Sequence, residues 1–293
     1  MKLGVELGEF AWDGGPARTA DVLAGIARSA DTAGFSILGM ADHLWQGPHA
    51  GGPEGPVLEC FTTLGALAVQ TRQIRLAPIV AGVHMRAPAV LGKAITTLDV
   101  LSGGRAMLGI GTAWYEDEAV GMGIAYPSLA DRYEMLEETV QICLRLWDGE
   151  RGDERPFDGK HYTLTRPLNV PQSLTRPHPP IMIAGGGEKK TLPLVAKYAD
   201  VCNLYPTPDI ADRLATLRRL CDEVDRDYDS IEKTTILPFE VGPDGAGASE
   251  LTDFLRGMAA AGIETAIGIL SGSDPVRQVD IIGEKVLPAL ADA

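Results

Sequence analysis

Asp42, His43 and Trp45 stand together in the stretch ADHLW, at the end of an apolar run that begins at Phe35. An imidazole titrates near neutral pH, so His43 can exchange a proton with a reacting group. An aspartate that caps the next segment, beside a solvent-facing histidine, explains the same residues equally well. The choice depends on whether the preceding run is a strand that ends at a binding site.

Three consecutive glycines form a second candidate site. Gly185, Gly186 and Gly187 follow the run PIMIA, and a helical pattern opens at about Glu188. Glycines before a helix expose backbone N–H groups at its positive end, which favours a phosphate, and two lysines follow directly. The Walker A spacing is absent. The pattern therefore predicts an anion site, with a glycine-rich turn that binds nothing as the alternative.

Small residues follow two further apolar runs. Ala81 and Gly82 come after IRLAPIV, while Gly109 and Gly111 belong to LGIGTAW, which also contains Thr112. Backbone without bulky side chains can approach a flat ligand closely. The two later glycines resemble part of a dinucleotide fingerprint, but the third glycine and the acidic ribose partner are missing. An ordinary turn between strand and helix is the alternative for each pair.

Several other chemistries lack their usual residues. The sequence has no HExxH, His-x-His or Gly-x-Ser-x-Gly motif, so neither metal-dependent hydrolysis nor serine-hydrolase chemistry is predicted. The cysteines are far apart and form no CxxC pair. They are Cys60, Cys143, Cys202 and Cys221. We expect reduced, mostly buried thiols and no metal.

The composition indicates a globular protein. Hydrophobic residues make up 45% of the 293 and charged residues 23%, with a net charge of −14 and no run of Lys or Arg. Phosphate contacts need a basic face, so nucleic-acid binding is not expected. No apolar stretch approaches the ~20 residues that cross a bilayer, and the first residues lack the apolar segment of a signal peptide. We therefore expect a cytoplasmic protein that does not enter a membrane.

Strands and helices that alternate along the chain must position these candidates. Eight apolar, β-rich runs are each followed by a helical pattern, and continuous apolar runs suit strands buried on both faces. The runs are KLGVEL, FSILGM, IRLAPIVAG, RAMLGIG, PIMIAGGG, DVCNLY, TTILPFEV and TAIGIL. Eight such units predict an α/β fold, a (β/α)8 TIM barrel, with a doubly wound open sheet as the competitor. In a barrel, the candidate residues gather at the carboxyl ends of the strands, where active sites lie.

One segment breaks the alternation. Residues 151–179 are rich in Pro and Arg and contain a short β-like piece, KHYTLT. We interpret them as an insertion before the fifth strand, within a single domain of residues 1–293. Insertions of this kind often cover the active site at the carboxyl face of a barrel, and we expect that position here.

Four stretches in the correct order resemble the luciferase-like monooxygenase family, and more closely its branch that uses the deazaflavin coenzyme F420. They are ADHLW, AGVHMRAPAVLGKAITTLDVLSGGRAMLGIGTAW, RYEMLEETVQICLRLWDG and RPHPPIMIAGGGEKKTLPLVAKYAD. The resemblance covers most of the chain. It implies a TIM barrel with an insertion before the fifth strand, in agreement with the count of strand–helix units.

The resemblance also implies roles for the candidates after the second and third strands. Asp42 would contact the deazaflavin ring, His43 would face the substrate and move protons, and Trp45 would form a wall beside the reacting carbon. A non-prolyl cis peptide would join Ala81 to Gly82 and form a bulge behind the ring.

Later positions complete the implied cofactor site. Gly111 and Thr112 match positions near the ring. The phosphate cradle matches Gly185, Gly186 and Gly187.

The expected function is hydride transfer to or from an unidentified small organic substrate, with coenzyme F420 as cofactor. Two alternatives stay open at this point: an FMN-dependent monooxygenase of the same fold, and a flavin or deazaflavin binder without catalytic activity. Family members are often dimers, so a homodimer is expected.

Overall fold

Aliphatic and β-branched residues, which suit strands buried on both faces, form eleven strands in a computed structural model that describes residues 1–291. The strands are β1 (Lys2–Leu7), β2 (Ile37–Met40), β3 (Arg75–Pro78), β4 (Ala81–Gly82), β5 (Leu108–Gly111), β6 (Phe157–Asp158), β7 (Thr163–Leu164), β8 (Ile181–Ala184), β9 (Val201–Leu204), β10 (Glu232–Pro238) and β11 (Thr265–Leu270).

Nine α-helices lie within residues 1–291. They are α1 (Pro16–Ala33), α2 (Cys60–Ala68), α3 (Pro88–Ser102), α4 (Glu116–Gly121), α5 (Leu129–Trp147), α6 (Thr191–Tyr198), α7 (Ile210–Glu223), α8 (Ala248–Ala260) and α9 (Pro275–Ile281). Residues with suitable backbone conformations and hydrogen-bonding groups determine where these helices begin and end. For example, Gly34 ends α1 with φ 88°, which suits glycine, and its N–H donates to the carbonyl of Ala30.

Nine of the strands form one parallel sheet in the order β3-β2-β1-β11-β10-β9-β8-β5-β4. The two ends of this order are consecutive pieces of one barrel strand, because β3 leads directly into β4. The β3 piece forms a bridge from Leu76 to Ala106, just before β5, and the β4 piece pairs Gly82 with Gly111 of β5. The sheet therefore closes at eight strand positions. The predicted (β/α)8 barrel is confirmed, and the open doubly wound sheet is excluded.

The interruption between β3 and β4 corrects one prediction. The non-prolyl cis peptide joins Ile79 to Val80, and not Ala81 to Gly82. The two small residues instead lie in the β4 ladder, where Ala81 pairs with Ile110. The prediction was wrong because small side chains mark where the backbone packs closely, and they do not specify which peptide bond is cis.

Side chains of the barrel strands alternate between two layers. Leu3, Val5 and Leu7 of β1 pack in the same cluster as helix residues such as Ile26, between the barrel and its outer helices. A second cluster consists of residues from the strands and their ends, and it fills the barrel interior. Its buried members are Ile37, Ala77, Ile79, Met107, Met182, Val201, Ile236 and Ile267.

The insertion of residues 151–179 does not lie where we expected it. It contains the hairpin β6–β7, and its hydrogen bonds to the rest of the chain go to α3, to α5 and to the turn before β5. Asp99, near the end of α3, accepts hydrogen bonds from the backbone of Leu174 and Thr175. A connection from a helix to the next strand leaves at the amino end of that strand, opposite the active-site end. The segment therefore packs along the outer helices and not over the carboxyl face.

All four cysteines are free thiols buried in the protein, as predicted. No helix in the described part of the chain is long and apolar enough to cross a membrane.

Candidate active site

His43 lies in the loop at the carboxyl end of β2, as the sequence predicted. Its ring Nδ1 is 2.9 Å from Oε2 of Glu118, which belongs to α4. The Glu118 side chain is only 3% exposed, while 25% of the His43 side chain is accessible. Because Nδ1 is occupied, Nε2 is the ring nitrogen that is left for a ligand.

Glu118 also holds the loop in which His43 lies. Its carboxylate accepts hydrogen bonds from the backbone N–H groups of Leu44 and Trp45. Burial alone would raise the pKa of Glu118, but the hydrogen bonds from His43 and the two N–H groups lower it. In turn, burial disfavours the charged form of His43, yet the hydrogen bond to Glu118 and the nearby carboxylates raise the pKa of the imidazole above its ordinary value.

Two stacked aromatic rings stand beside the imidazole. Trp114 and Tyr115 follow β5, with ring centroids 4.8 Å apart and planes at 5°. Both turn towards His43 edge-on, with centroids 5.7 and 6.0 Å away. Trp114 is 53% exposed, so it offers a broad apolar surface next to the imidazole. Ala113, just before it, has φ 62°, a left-handed conformation that is uncommon outside glycine and often found at functional sites.

Trp45 occupies a different position from the one implied by the resemblance. Its ring packs over α4 so closely that Gly121 has no room for a side chain. The role of Trp45 as a wall beside a reacting carbon stays a prediction. Among residues 1–291, Trp114 is the exposed tryptophan that contacts His43.

Asp42 is buried behind the same loop. Its side chain is 1% exposed, and Oδ2 accepts a hydrogen bond of 2.6 Å from Arg86. The second nitrogen of that guanidinium donates to Glu59, which also caps the amino end of α2. This arrangement fixes the backbone beneath His43. The predicted contact between Asp42 and a cofactor ring stays a prediction, since the carboxylate presents almost no surface.

The β4–β5 pair brings the small residues together. Gly82 lies opposite Gly111, and an added Cβ on Gly82 would lie 3.3 Å from Cβ of Ala113. The carbonyl of Thr112 accepts a hydrogen bond of 2.8 Å from Arg132 of α5. Gly82 and Gly111 are both buried, and side chains of the protein fill the space beside them, so glycine is needed here for the packing of the barrel wall.

The glycine-rich stretch follows β8 at the same end of the barrel, but its helix begins later than predicted. The helix α6 starts at Thr191 and not near Glu188. The N–H of Gly185 donates to the carbonyl of Asn203, so it is not free for an anion. In the described structure, the N–H groups of residues 186–189 have no hydrogen-bond partner. We call residues 186–190 the cradle.

A cavity of about 450 Å³ lies at the cradle. Tyr133 of α5 and Arg213 of α7 complete its lining. Arg213 donates to the carbonyl of Gly186 and is paired with Asp209. Lys189 and Lys190 are exposed beside it. Free N–H groups and cations in one cavity suit a phosphate, although the chain as a whole is acidic.

Sequence reasoning missed three residues of this end of the barrel: Glu118, Trp114 and Glu6. Glu118 is 75 residues from His43, so no local spacing connects them. Trp114 stands in the quoted stretch LGIGTAW, but nothing in the stretch shows that its ring stays exposed. Glu6 has a visible signal, a single carboxylate within the apolar run KLGVEL, and it is 6% exposed in the structure.

Comparison with known proteins places this arrangement in a family. The family described as luciferase-like monooxygenase matches residues 1–277. An F420-dependent glucose-6-phosphate dehydrogenase from Nocardia farcinica is 32% identical over 223 residues, which are 70% of this chain and 62% of that protein. A second such dehydrogenase, from Rhodococcus jostii, is 29% identical over 273 residues, 87% of this chain and 77% of that one. The chain thus spans less than two thirds of the Nocardia relative.

Solved structures show the same fold at low sequence identity. An F420-dependent secondary alcohol dehydrogenase in complex with an F420–acetone adduct superposes with a TM-score of 0.82 at 18% identity, covering 99% of both chains. A monooxygenase from Streptomyces bottropensis superposes with a TM-score of 0.81 at 19% identity, covering 99% of this chain and all of the other. The fold is therefore shared by enzymes of both kinds. Together with the family match over residues 1–277, it confirms the resemblance: this chain belongs to the luciferase-like monooxygenase family.

Proposed function

We propose that this chain is an oxidoreductase that uses the deazaflavin coenzyme F420 to transfer hydride to or from a small organic substrate. One observation carries the proposal: an anion cradle and a proton-exchanging imidazole lie at the same end of the barrel. The curated relatives named above are F420-dependent dehydrogenases, which supports this cofactor.

The residues at the mouth fit a flat cofactor that carries a phosphate. The four N–H groups of residues 186–189, which have no hydrogen-bond partner within residues 1–291, and the adjacent lysines suit the anionic group. Thr112 and Ala113 are partly exposed just after β5, beside the exposed ring of Trp114, so a flat ring has a surface to approach there. The ring contacts of Asp42, Ala81, Gly82, Gly111 and Thr112 are part of this proposal.

Each group of the chain then has a defined task. When bound, coenzyme F420 supplies the hydride chemistry. The cradle binds its phosphate, and Trp114 with Tyr115 shields the reacting atoms from water. His43 holds and moves a proton at Nε2, while Glu118 orients the imidazole by accepting from Nδ1.

An FMN-dependent monooxygenase is the second candidate. It is favoured by the monooxygenase from Streptomyces bottropensis, whose fold matches as well as that of the F420-dependent alcohol dehydrogenase. The two candidates differ in their reaction with oxygen. A deazaflavin lacks the N5 nitrogen and reacts poorly with oxygen, so an F420 enzyme turns over without consuming it.

We also propose that the protein works in the cytoplasm as a homodimer of single-domain chains, with a small-molecule substrate and no nucleic-acid or membrane partner. Four buried free thiols suit a reducing compartment. The net charge of −14 opposes contact with phosphate backbones.

The test is a screen of ketones, enones and alcohols with the deazaflavin under anaerobic and aerobic conditions. We expect at least one compound to change the absorbance of the coenzyme at the same rate in both. Turnover only with FMN and oxygen would replace the proposal with the monooxygenase. Cofactor binding without turnover of any compound would leave a non-catalytic binder.

A further inference from the structure

The ring of Trp114 is held in place by other rings although the residue is 53% exposed. It stacks on Tyr115, which is buried, and His43 meets it edge-on. His49, from the same loop as His43, lies with its ring centroid 6.0 Å away and its plane tilted by 39°. The loops after β2 and β5 thus build an aromatic cluster, with Trp114 as its exposed surface.

The position of Trp114 gives this exposure a meaning. A single exposed hydrophobic side chain is ordinary on a protein surface. Trp114, however, follows a backbone turn at Ala113 with φ 62°, and it lies at the carboxyl end of the barrel, where active sites form. A flat apolar ligand that covers an aromatic ring is stabilised by stacking and by burial of apolar surface. The cluster therefore offers a stacking surface directly beside His43.

The loops that lead from each barrel strand to the next helix contain few cations. Within residues 1–291 these loops carry Arg86, Lys189 and Lys190 and no other lysine or arginine. Arg86 is paired with both Asp42 and Glu59, and its side chain is only 18% exposed. The two lysines belong to the cradle. Outside the cradle, these loops have no cation left for an anionic ligand.

Carboxylates are frequent in the same loops. Glu116 and Asp117 are exposed in the first turn of α4, directly after the stacked pair. Arg18 and Arg277 lie beyond the loops, in the first turns of α1 and α9. Away from the cradle, this end of the barrel is therefore negatively charged and repels anions. The exposed acidic residues of the loops themselves are Asp13, Glu54, Glu240, Asp244 and Asp274.

We propose that the substrate is an uncharged, flat apolar compound that stacks on Trp114, which makes Trp114 a specificity-determining residue. This inference rests on the proposed function and names the substrate class for that site. Stacking needs only an apolar face, so the ring of Trp114 can orient such a compound against His43 without any ionic contact.

Phosphorylated substrates are excluded by the same arrangement. Within residues 1–291, the cradle is the part of these loops that combines free N–H groups with cations, and in the proposed function the coenzyme phosphate fills it. A second phosphate would meet the acidic loops. The curated relatives named above are called glucose-6-phosphate dehydrogenases, so this chain departs from them in the substrate that it accepts.

Naphthol and naphthyl phosphate, which share one ring system, test the substrate class. Each is titrated by calorimetry into the enzyme saturated with coenzyme F420, so that the cradle is filled. We expect naphthol to bind and naphthyl phosphate to bind at least ~10-fold more weakly. No binding of naphthol, or equal or tighter binding of naphthyl phosphate, overturns the proposal.

Trp114→Ala tests the stacking surface. The affinity for naphthol should fall ~10-fold, and Trp114→Phe, which keeps a ring, should recover most of it. Phe254→Ala is the matched control, because it removes an aromatic side chain of α8 that is 43% exposed. Wild-type affinity in Trp114→Ala, or an equal loss in the control, would show that naphthol does not stack on Trp114.

A charge reversal tests the exclusion of anions. The double variant Glu116→Lys/Asp117→Lys should bind naphthyl phosphate several-fold more tightly than the wild type, and added salt should reduce the gain. Asp222→Lys/Glu223→Lys makes the same change of charge at the exposed carboxyl end of α7, which points to the opposite end of the barrel. The same gain in both double variants, or none in either, would mean that the acidic loops do not select the substrate.

The two proposals fail differently. If the wild type does not bind the coenzyme, the proposed function fails, while the titration of naphthol into the unloaded wild type and Trp114→Ala still reports on the stacking surface. If the wild type turns over a phosphorylated compound, and Trp114→Ala leaves its KM unchanged, the substrate class is wrong and the oxidoreductase stands.

Discussion

Nδ1 of His43 lies 2.9 Å from Oε2 of Glu118, although 75 residues separate the two in the chain. This contact joins the loop after β2 to the short helix α4 after β5. The same carboxylate accepts from the N–H groups of Leu44 and Trp45, so it fixes the loop and the imidazole together. Glu118 is therefore a positioning residue for His43.

Glu118→Gln should lower the pKa of His43. The carboxylate raises that pKa through its hydrogen bond and its charge, and an amide retains only the hydrogen bond. The measurement is an NMR titration of the His43 ring protons. The pH profile of turnover should also move to lower pH, because the imidazole of the variant loses its charge at a lower pH than that of the wild type.

Glu116→Gln is the control for that change. Glu116 is exposed, two residues before Glu118 on the same helix. An equal fall in the His43 pKa in both variants would mean that general charge, and not the contact with Glu118, raises it.

His43→Ala should leave coenzyme affinity nearly intact and slow turnover by ~10²–10⁴, the range for a positioned acid or base. In the proposed arrangement Nε2 of His43 carries the proton, while the cradle, which follows a different strand, holds the phosphate. Affinity from a fluorescence titration and turnover from stopped-flow absorbance measure the two effects separately. A variant that turns over at the parental rate would leave His43 a structural residue.

Much of the barrel could be predicted from the sequence because parallel strands are buried on both faces. The runs KLGVEL and TAIGIL read as continuous apolar segments, and they pair in register from Lys2 with Thr265 to Leu7 with Leu270. The bounds of the third strand were predicted less well. IRLAPIVAG is one apolar stretch, but the barrel strand breaks between Pro78 and Ala81, and composition carries no signal for that break.

The candidate site was predicted only where its residues are close in sequence. His43 was found because it stands at the end of an apolar run, and the glycines because they precede a helix. Glu118 was missed, since its partner comes from another barrel unit. The insertion was misplaced because its composition does not show on which side of the barrel it packs.

Gly186→Leu should weaken coenzyme binding by ~10–100-fold, the effect of losing one or two charge-assisted hydrogen bonds. An added side chain would displace Arg213 and cover the free N–H groups of the cradle. A fluorescence titration of the coenzyme measures the loss. Gly257→Leu on the exposed face of α8, where a Cβ meets no other atom within 4 Å, is the matched control. Unchanged affinity in a folded Gly186→Leu variant would place the phosphate elsewhere.

Glu6→Gln should stabilise the fold in alkaline solution. The folded pKa of Glu6, about 8, lies above its ordinary value of 4.5, so the unfolded chain loses its proton first as pH rises. Below pH 4.5 the ionisation of Glu6 does not reduce the free energy of unfolding. Above that pH the free energy of unfolding falls, until the Glu6 carboxyl of the folded protein also ionises near pH 8. Since Gln cannot ionise, the melting temperatures of variant and wild type should coincide at low pH. Above pH 8 the wild type should melt at the lower temperature, by an amount that corresponds to a few kcal/mol in the free energy of unfolding. Equal melting temperatures at alkaline pH would show that Glu6 ionises normally.

The most direct test of the proposed function is a pair of binding titrations of the purified protein, one with coenzyme F420 and one with FMN, followed by fluorescence. We predict saturable binding of coenzyme F420, weakened in Gly186→Leu and unchanged in His43→Ala, and weaker binding of FMN. Saturable binding of FMN with no binding of coenzyme F420 at the same concentrations would contradict the proposal and identify a flavin enzyme instead.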